Sequence, residues 1–418
     1  MRTSNSWKLS LWGALAAFST YTSMYGFRKG ITAVSFEGLD FAGIDYKIWL
    51  ITAQVLGYAL SKGIGVKVVS EMKPGQRPLY ILLLIGLAEL ALLGFALIPA
   101  PYNIPMLFLN GLPLGMVYGT VIGFLEGRRQ TEVLVAALTA SFIFASGMVK
   151  TVALLLMQAG ITAFWTPFLT GALFVVPLIL SVWALARLPA PSLEDKEART
   201  ERRPMGQAER KRFIQTFSGG LVLLIISYVL LSAFRDFRDN FAPEILEGMA
   251  SGNPALFTQT ETAIAIVILL MMAGIRWISD NFRAFTYVNL LMLVGALTVG
   301  GSTLLYQAEA ITLGPWFMLT GLGMYMGYVP CNGIYFERLV ASFRYVSTVG
   351  FIVTLADWYG YLGSVAVLLY KNFGQATISF HTFYLYGCYV LSTSYALLTV
   401  LSYVYFRRKY VTEVSKVG

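Results

Sequence analysis

The 418-residue sequence predicts an all-α polytopic membrane protein with twelve spanning helices. Its residues are 57% hydrophobic and only 13% charged, and the polar positions are gathered into short gaps between long apolar runs. A spanning helix needs about 20 mostly apolar residues. The apolar runs therefore predict spans at 8–35, 45–69, 78–98, 103–126, 131–157, 163–187, 213–246, 256–278, 284–306, 312–336, 346–370 and 379–406.

The basic residues predict the orientation of these spans. The first span follows Arg2 and Lys8 without a small-residue cleavage pattern, so we expect it to be retained as a signal anchor. Most of the 31 lysines and arginines lie at the chain ends or in gaps after even-numbered spans, whereas Lys47 and Lys371 lie in gaps after odd-numbered ones. The positive-inside rule then predicts that both termini are cytoplasmic. We expect a multi-pass protein of the plasma membrane, in a bacterial inner membrane, with no nucleic-acid partner.

Few residues suited to catalysis or metal binding occur. Cys331 and Cys388 both lie in predicted spans, which argues against a disulfide framework, and His381 is the single histidine. The sequence has no His/Cys/carboxylate cluster at metal-ligand spacing, no nucleophile elbow and no nucleotide-binding loop. We therefore expect a protein that is not an enzyme and that holds no metal and no cofactor.

A charged, proline-containing stretch divides the spans six and six. Its composition is that of a solvated connector, so the predicted domains are an N-terminal bundle at 1–188, a cytoplasmic linker at 189–212 and a C-terminal bundle at 213–418. The second half resembles the first at matching positions. Phe27-Arg28 precedes Glu37-Gly38 at the spacing with which Phe237-Arg238 precedes Glu247-Gly248. Two parallel six-helix halves are typical of the major facilitator fold, whose substrate site lies at mid-membrane.

Cations inside the first and seventh spans are the best indication of function. Arg28 and Lys29 lie in the first span, and Arg235 and Arg238 lie in the seventh. An arginine at the centre of a spanning helix costs about 2.5–3.5 kcal/mol, so these residues are expected to have a ligand or a partner. A guanidinium group offers two parallel N–H donors, which suits a tetrahedral oxyanion. The pattern predicts an anion site to which both halves contribute an arginine.

Several short motifs extend this interpretation to a family. They are Arg28-Lys29, Tyr58-Ala-Leu-Ser61-Lys62, Arg235 before Asn240-Phe-Ala-Pro243, Tyr328-Val-Pro330 and Gly360-Tyr361-Leu-Gly-Ser-Val-Ala366. Together they resemble the organophosphate:phosphate antiporters, the glycerol-3-phosphate and hexose-phosphate transporters of the major facilitator superfamily. The sequence departs from that family at Ser146, where the family has histidine, and at Asn240, where it has aspartate.

The resemblance implies a secondary transporter that exchanges a small phosphorylated organic anion for inorganic phosphate, as a monomer in the lipid bilayer. It implies that Arg28 and Arg235 bind the phosphoryl group and that Lys29 and Lys62 add positive potential. It also implies that tyrosines line the cavity, namely Tyr21, Tyr25, Tyr58, Tyr328 and Tyr361. Two other functions stay open: a proton-coupled transporter of another organic anion, and a non-transporting sensor or scaffold for phosphate esters.

Several residue roles are also open. Family spacing favours Arg235 as the ligand residue, whereas the internal repeat favours Arg238, and either arginine is able to pair with Asp236 or Asp239. Lys29 either faces the ligand or points sideways to a neighbouring helix. Lys150 and Asp239 are candidate coupling or cavity charges, and Lys150 has the alternative of extending to the membrane interface. Asp357 is either a proton-coupling carboxylate or the partner of a cavity cation. A cytoplasmic latch between the halves is predicted at the ends of spans four and ten, at Glu126, Arg128, Glu337 and Arg338.

Overall fold

The computed structural model describes most of the chain. The described residues are 3–70, 72–125, 131–189, 207–246, 249, 253–275, 277–331, 334–343, 350–374 and 377–414. Within them, helices form at all twelve predicted spans. Eight helical segments among these residues are long and apolar enough to cross a membrane. The described parts of the chain therefore have the all-helical arrangement that the hydropathy pattern predicts.

The first half of the chain contains seven helices and one small hairpin among its described residues. The helices are α1 (Thr3–Lys29), α2 (Tyr46–Ser70), α3 (Arg77–Leu97), α4 (Ile104–Leu114), α5 (Val117–Leu125), α6 (Thr131–Gln158) and α7 (Thr166–Ala186). A 3₁₀ turn at Gly30–Ala33 follows α1, and another at Pro74–Gln76 precedes α3. Between α1 and α2, β1 (Asp40–Phe41) pairs antiparallel with β2 (Ile44–Asp45). The fourth span is thus two helices, α4 and α5, which are separated just after Pro113.

The second half contains eight helices among its described residues. They are α8 (Gln207–Asn240), α9 (Ala242–Ile245), α10 (Ala255–Ile275), α11 (Asn281–Gln307), α12 (Leu313–Cys331), α13 (Ile334–Ser342), α14 (Gly350–Leu369) and α15 (Phe380–Val414). A π-helical turn at Tyr370–Gly374 extends α14. The seventh predicted span does not continue unbroken to residue 246, since α8 ends at Asn240 and Pro243 lies in the first turn of the separate helix α9.

The chain divides into two compact units. Unit 1 comprises Met1–Arg199, Asp239–Leu269 and Leu368–Thr377, and unit 2 comprises Thr200–Arg238, Leu270–Val367 and Ile378–Gly418. The domain boundaries expected from the sequence, at 188 and 212, stay a prediction. Each unit has its own helix packing and its own cluster of charged residues.

A buried amide network fixes the end of α1 in unit 1. Asn110 on α4 donates through Nδ2 to the carbonyl oxygens of Phe27 at 2.9 Å and Ala88 at 3.0 Å. Gln54 on α2 donates through Nε2 to Asn110 Oδ1 at 2.7 Å and to the carbonyl oxygen of Arg28 at 3.0 Å. Because buried amides need partners, this network holds four helices together at the turn that carries Arg28.

A close helix crossing organises the core of unit 2. Gly295 on α11 and Gly323 on α12 each face the carbonyl oxygen of the other, and a Cβ at either position would collide with it. Trp316 donates through Nε1 to Thr303 Oγ1 at 3.1 Å, and Tyr384 donates to Thr320 Oγ1 at 2.9 Å. These contacts fix α12 against α11 and α15. Helix α12 carries the Tyr328 ring, which contacts Arg235 of α8, and the Phe317 carbonyl group, which accepts from Arg238 of α8.

Candidate functional site

In unit 1, Arg28 and Lys62 share one tyrosine ring. Arg28 is in the last turn of α1, and its Cζ atom lies 3.8 Å from the centroid of the Tyr58 ring on α2. Lys62 lies one turn further along α2, and its Nζ atom is 5.6 Å from the same centroid. A tyrosine face attracts cations through its quadrupole. The structure therefore brings together three of the residues that the sequence predicts for the site.

An aromatic cluster lies on α1 before Arg28. The ring of Tyr21 is 5.5 Å from that of Tyr25, 5.6 Å from Tyr118 on α5 and 4.7 Å from Phe142 on α6, between centroids. Tyr21 and Tyr25 are 3% and 7% exposed. Their rings thus pack among other rings on the helix face that leads to Arg28, and Tyr118 and Phe142 are members that the sequence did not single out.

Lys29 points to a second cluster, which is centred on Asp239. Its Nζ atom is 2.5 Å from Asp239 Oδ2 and donates to Asn240 Oδ1 at 2.7 Å. Lys150 on α6 donates to the other carboxylate oxygen at 2.5 Å, and Ser146 also donates to it. Lys150 is 1% exposed, so it lies inside unit 1 instead of extending to the interface. We call this group the Lys29–Asp239–Lys150 triad.

The triad is a buried charge cluster with one more cation than anion. Taking charges out of water costs several kcal/mol per ion, and the attraction between them offsets this only where hydrogen bonds are well made. Asp239 accepts from two lysines and a serine, which meets that condition. Arg28, Lys62 and the triad together comprise four cations and one carboxylate, and the buried carboxylate residue Glu261 packs against α6 at Gly147.

In unit 2, Arg235 also rests on a tyrosine. Its Cζ atom lies 3.6 Å from the centroid of the Tyr328 ring on α12. Its Nη2 atom donates to Asp236 Oδ1, and Asp236 Oδ2 accepts from Ser364 on α14 at 2.7 Å. The buried Nε atom of Arg235 has no hydrogen-bond partner among the described residues. One donor of Arg235 is therefore unsatisfied within the described part of the chain in this conformation.

Arg238 has a different environment on the same helix. Its Nε and Nη2 atoms donate to the carbonyl oxygen of Phe317, at 3.3 and 3.1 Å, and its Cζ atom lies 3.9 Å from the Phe317 ring. The residue is 1% exposed. Arg238 thus joins α8 to α12 by contacts within the protein, which supports Arg235 as the ligand residue of the pair.

Asp357 on α14 is bonded to a tyrosine that the sequence did not single out. Tyr228 on α8 donates its hydroxyl to Asp357 Oδ1 at 2.6 Å, and its ring stacks on that of Tyr328 with centroids 5.6 Å apart. Tyr361 follows Asp357 by one turn of α14 and is buried. Asp357 therefore belongs to the aromatic group around Arg235.

The predicted cytoplasmic latch is only partly described. Glu126 and Arg128 lie outside the described residues, whereas Glu337 and Arg338 lie on α13. Arg338 donates through Nη1 to Asn281 Oδ1 at 2.8 Å, at the start of α11. Asn281 is a partner within unit 2, so the latch between the halves stays a prediction.

Sequence reasoning missed a charge pair in unit 1. Lys47, at the start of α2, has its Nζ atom 2.5 Å from Glu244 Oε1 on α9 and 3.0 Å from the carbonyl oxygen of Thr32. The two residues are 197 positions apart, so no local pattern links them. The one available signal was that Lys47 is a basic residue in a gap where the charge bias disfavours it.

No group of three or more histidine, cysteine or carboxylate side chains suited to a metal ion occurs within the described part of the chain. The functional candidates in both units are therefore cations, tyrosines and the carboxylates that pair with them. Such groups bind and orient an anion, and they hold or move protons.

Solved structures similar to this one are transporters. A bacterial homologue of the human drug peptide transporters PepT1 and PepT2 is 13% identical, with a TM-score of 0.62, and 96% of this chain and 99% of that chain are covered. The nucleoside transporter NupG is 12% identical, with a TM-score of 0.63 and coverage of 95% and 100%. The xylose transporter XylE from E. coli is 14% identical, with a TM-score of 0.59 and coverage of 97% and 98%.

These structures confirm the predicted fold class: an all-α, multi-pass membrane protein with the major facilitator fold. No curated protein sequence is a significant match. A family model described as a family of unknown function, DUF5690, matches residues 30–409. Because this match covers most of the chain, the protein belongs to the DUF5690 family.

Proposed function

We propose that the protein is a secondary active transporter that exchanges a small phosphorylated organic anion for inorganic phosphate. One observation carries the proposal: each unit stacks an arginine on a tyrosine ring, Arg28 on Tyr58 and Arg235 on Tyr328. Stacking uses the face of the guanidinium group, whereas its N–H donors lie in the plane. The two arginines are therefore oriented to donate edge-on, as a phosphoryl group requires.

The charge of unit 1 supports an anionic substrate. Arg28, Lys29, Lys62 and Lys150 place four cations in unit 1, and two of them, Lys29 and Lys150, share the carboxylate of Asp239. A bound dianion relieves the repulsion between these cations, and an empty site keeps it. Conformational change is then favoured with an anion bound and disfavoured without one, which gives exchange in place of net transport.

The remaining parts of the proposal concern the setting. We propose a bacterial inner membrane with both termini cytoplasmic, because basic residues concentrate at the chain ends and after even-numbered spans. We also propose that the protein acts as a monomer in the bilayer, as the resemblance to the organophosphate:phosphate antiporters implies.

The test is phosphate counterflow in proteoliposomes, with external phosphate esters and non-phosphorylated acids compared. Arg28→Ala removes charge-assisted hydrogen bonds worth about 1.5–3 kcal/mol, so phosphate exchange is expected to fall about tenfold to hundredfold. Arg187→Ala is the matched control, because Arg187 also stacks on an aromatic ring, that of Trp183 at 4.8 Å, but is exposed at the end of α7. Unchanged exchange by Arg28→Ala, or equal exchange of non-phosphorylated acids, contradicts the proposal.

The same vesicles separate the two alternatives. A proton-coupled transporter of another organic anion shows uptake driven by a pH gradient with no phosphate inside. The hydrogen bond between Tyr228 and Asp357 is the observation that favours it, because this carboxylate is held where a proton can be exchanged with a hydroxyl group. A non-transporting sensor binds phosphate esters and gives no counterflow.

A further inference from the structure

Glu89 is a carboxylate in the apolar middle of α3. Its helix exposes Leu83, Leu87 and Leu90 on the outer surface of unit 1 and carries no other acidic residue. Both carboxyl oxygens of Glu89 are inaccessible, and neither has a hydrogen-bond partner among the described residues. None of the phosphate-binding groups proposed above involves this side chain. Its burial therefore needs an explanation of its own.

A glycine makes the space for this carboxyl group. Glu89 Oε2 occupies the position where a side chain at Gly171 on α7 would begin, and the ring of Phe27 on α1 borders the same position. The carboxyl group is thus held between α3, α7 and α1, with an apolar ring on one side and a bare backbone on the other. This is a formed site for a carboxyl group and not a side chain directed to solvent.

No charged group compensates Glu89 from the helices around it. Residues 166–186 of α7 and all of α4 contain no titratable side chain, and α5 contributes only Tyr118, which packs on Tyr21. On α1, the cations after Phe27 are turned to other partners, Arg28 to Tyr58 and Lys29 to Asp239. An ionised carboxylate without a partner in such surroundings costs many kcal/mol, so the group takes up a proton instead.

The site is connected to the proposed anion site through the backbone. Asn110 bonds both the carbonyl oxygen of Ala88, which precedes Glu89, and that of Phe27, which precedes Arg28. If Glu89 lost its proton, the charge would need water or a cation, and both require the packing of α3 against α1 and α7 to open. Movement there displaces the turn that carries Arg28.

We propose that Glu89 is a proton-binding site, occupied in this conformation, whose deprotonation is coupled to loosening of the α1–α3–α7 contact. The site takes a proton and no larger ligand, because the space beside Gly171 is filled by the carboxyl group itself. The proposal does not require phosphate to be the substrate, so its tests are chosen to be independent of transport.

The first test is chemical labelling of the wild-type protein in lipid vesicles with dicyclohexylcarbodiimide, an apolar reagent. A neutral carboxyl group adds to it: the acid proton passes to a carbodiimide nitrogen while the carboxyl oxygen bonds to the central carbon. Peptide mapping is expected to find Glu89 modified and the water-exposed Glu37 unmodified, with the Glu89 label lost as the pH rises. A Glu89 peptide with no label, or with no more than Glu37, overturns the proposal.

The second test is the pH dependence of thermal unfolding in detergent for wild type and Glu89→Gln. A group that is neutral when folded and ionised when unfolded gives stability that is complete at low pH and is lost as pH rises. The unfolding temperature of wild type relative to Glu89→Gln is therefore expected to fall with rising pH, because the glutamine stays neutral. Parallel curves for the two proteins overturn the coupling between proton binding and packing.

Discussion

Arg28 in unit 1 and Arg235 in unit 2 rest on tyrosine rings in the same way, but the charges around them differ. Near Arg28, four cations accompany the single carboxylate of Asp239. Near Arg235, two arginines accompany two carboxylates, Asp236 and Asp357. The side chains grouped with Arg28 thus contain more cations than carboxylates, whereas those grouped with Arg235 contain equal numbers. We infer that the group around Arg28 attracts an anion more strongly than the group around Arg235 does.

The largest expected effect distinguishes the two carboxylates on α8. Asp239→Ala leaves Lys29 and Lys150 buried without their shared anion, and breaking a buried ion pair in this way costs about 3–5 kcal/mol. Asp236→Ala removes a partner from Arg235, which keeps its contact with the Tyr328 ring. Asp236→Ala is therefore expected to lower the free energy of unfolding less than Asp239→Ala does. Chemical unfolding of the purified variants in detergent measures both changes.

Added phosphate sharpens this comparison. If unit 1 attracts anions, Asp239→Ala increases its excess charge, so phosphate is expected to raise the unfolding midpoint of this variant more than that of wild type. Asp280→Ala, which removes the N-cap of α11 and costs about 0.5–2 kcal/mol, is the control for general destabilisation. Equal destabilisation by Asp239→Ala and Asp236→Ala contradicts the difference between the units.

An intermediate effect is expected for the two arginines of α8. Arg235→Ala is expected to weaken phosphate binding by about 1.5–3 kcal/mol, since it removes charge-assisted donors to the ligand. Arg238→Ala is expected to lower stability and to leave most of the phosphate affinity, because its donors bond the Phe317 carbonyl oxygen. Phosphate titration by calorimetry and thermal unfolding measure the two quantities. If Arg238→Ala loses more affinity than Arg235→Ala, the internal repeat gives the ligand residue.

The sequence predicts those features of the fold and of the site that are local along the chain. Hydropathy predicted the spans, and spacing along one helix placed Tyr58 beside Lys62, because both are local properties. The hydropathy pattern predicts no helix end inside the fourth or the seventh span, yet helices end close to Pro113 and Pro243. Such interruptions depend on local backbone geometry, which hydropathy does not register.

Long-range partners were beyond the sequence. The bonds from Lys29 and Lys150 to Asp239, and from Lys47 to Glu244, join residues that are distant in the chain. The contact between Arg238 and Phe317 involves a backbone carbonyl group, which every residue has, so no residue type marks it. Tertiary packing determines each of these partners, and the partner determines whether a cation is compensated within the protein.

The smallest expected effect concerns the tyrosines beneath the arginines. Cation–π contacts contribute about 0.5–2 kcal/mol each. Tyr58→Leu removes the ring shared by Arg28 and Lys62, whereas Tyr328→Leu removes the ring from Arg235 alone, which Asp236 still holds. Tyr58→Leu is therefore expected to weaken phosphate binding more than Tyr328→Leu does.

Phenylalanine variants at the same positions isolate the role of the ring. Tyr58→Phe and Tyr328→Phe keep an aromatic face, so both are expected to bind phosphate more tightly than the leucine variants. Calorimetric titration of the four proteins ranks them. If Tyr328→Leu has the larger effect, the group around Arg235 contributes more to phosphate binding than its number of cations indicates. If leucine and phenylalanine variants are equal at position 58, the hydroxyl group rather than the ring positions Arg28.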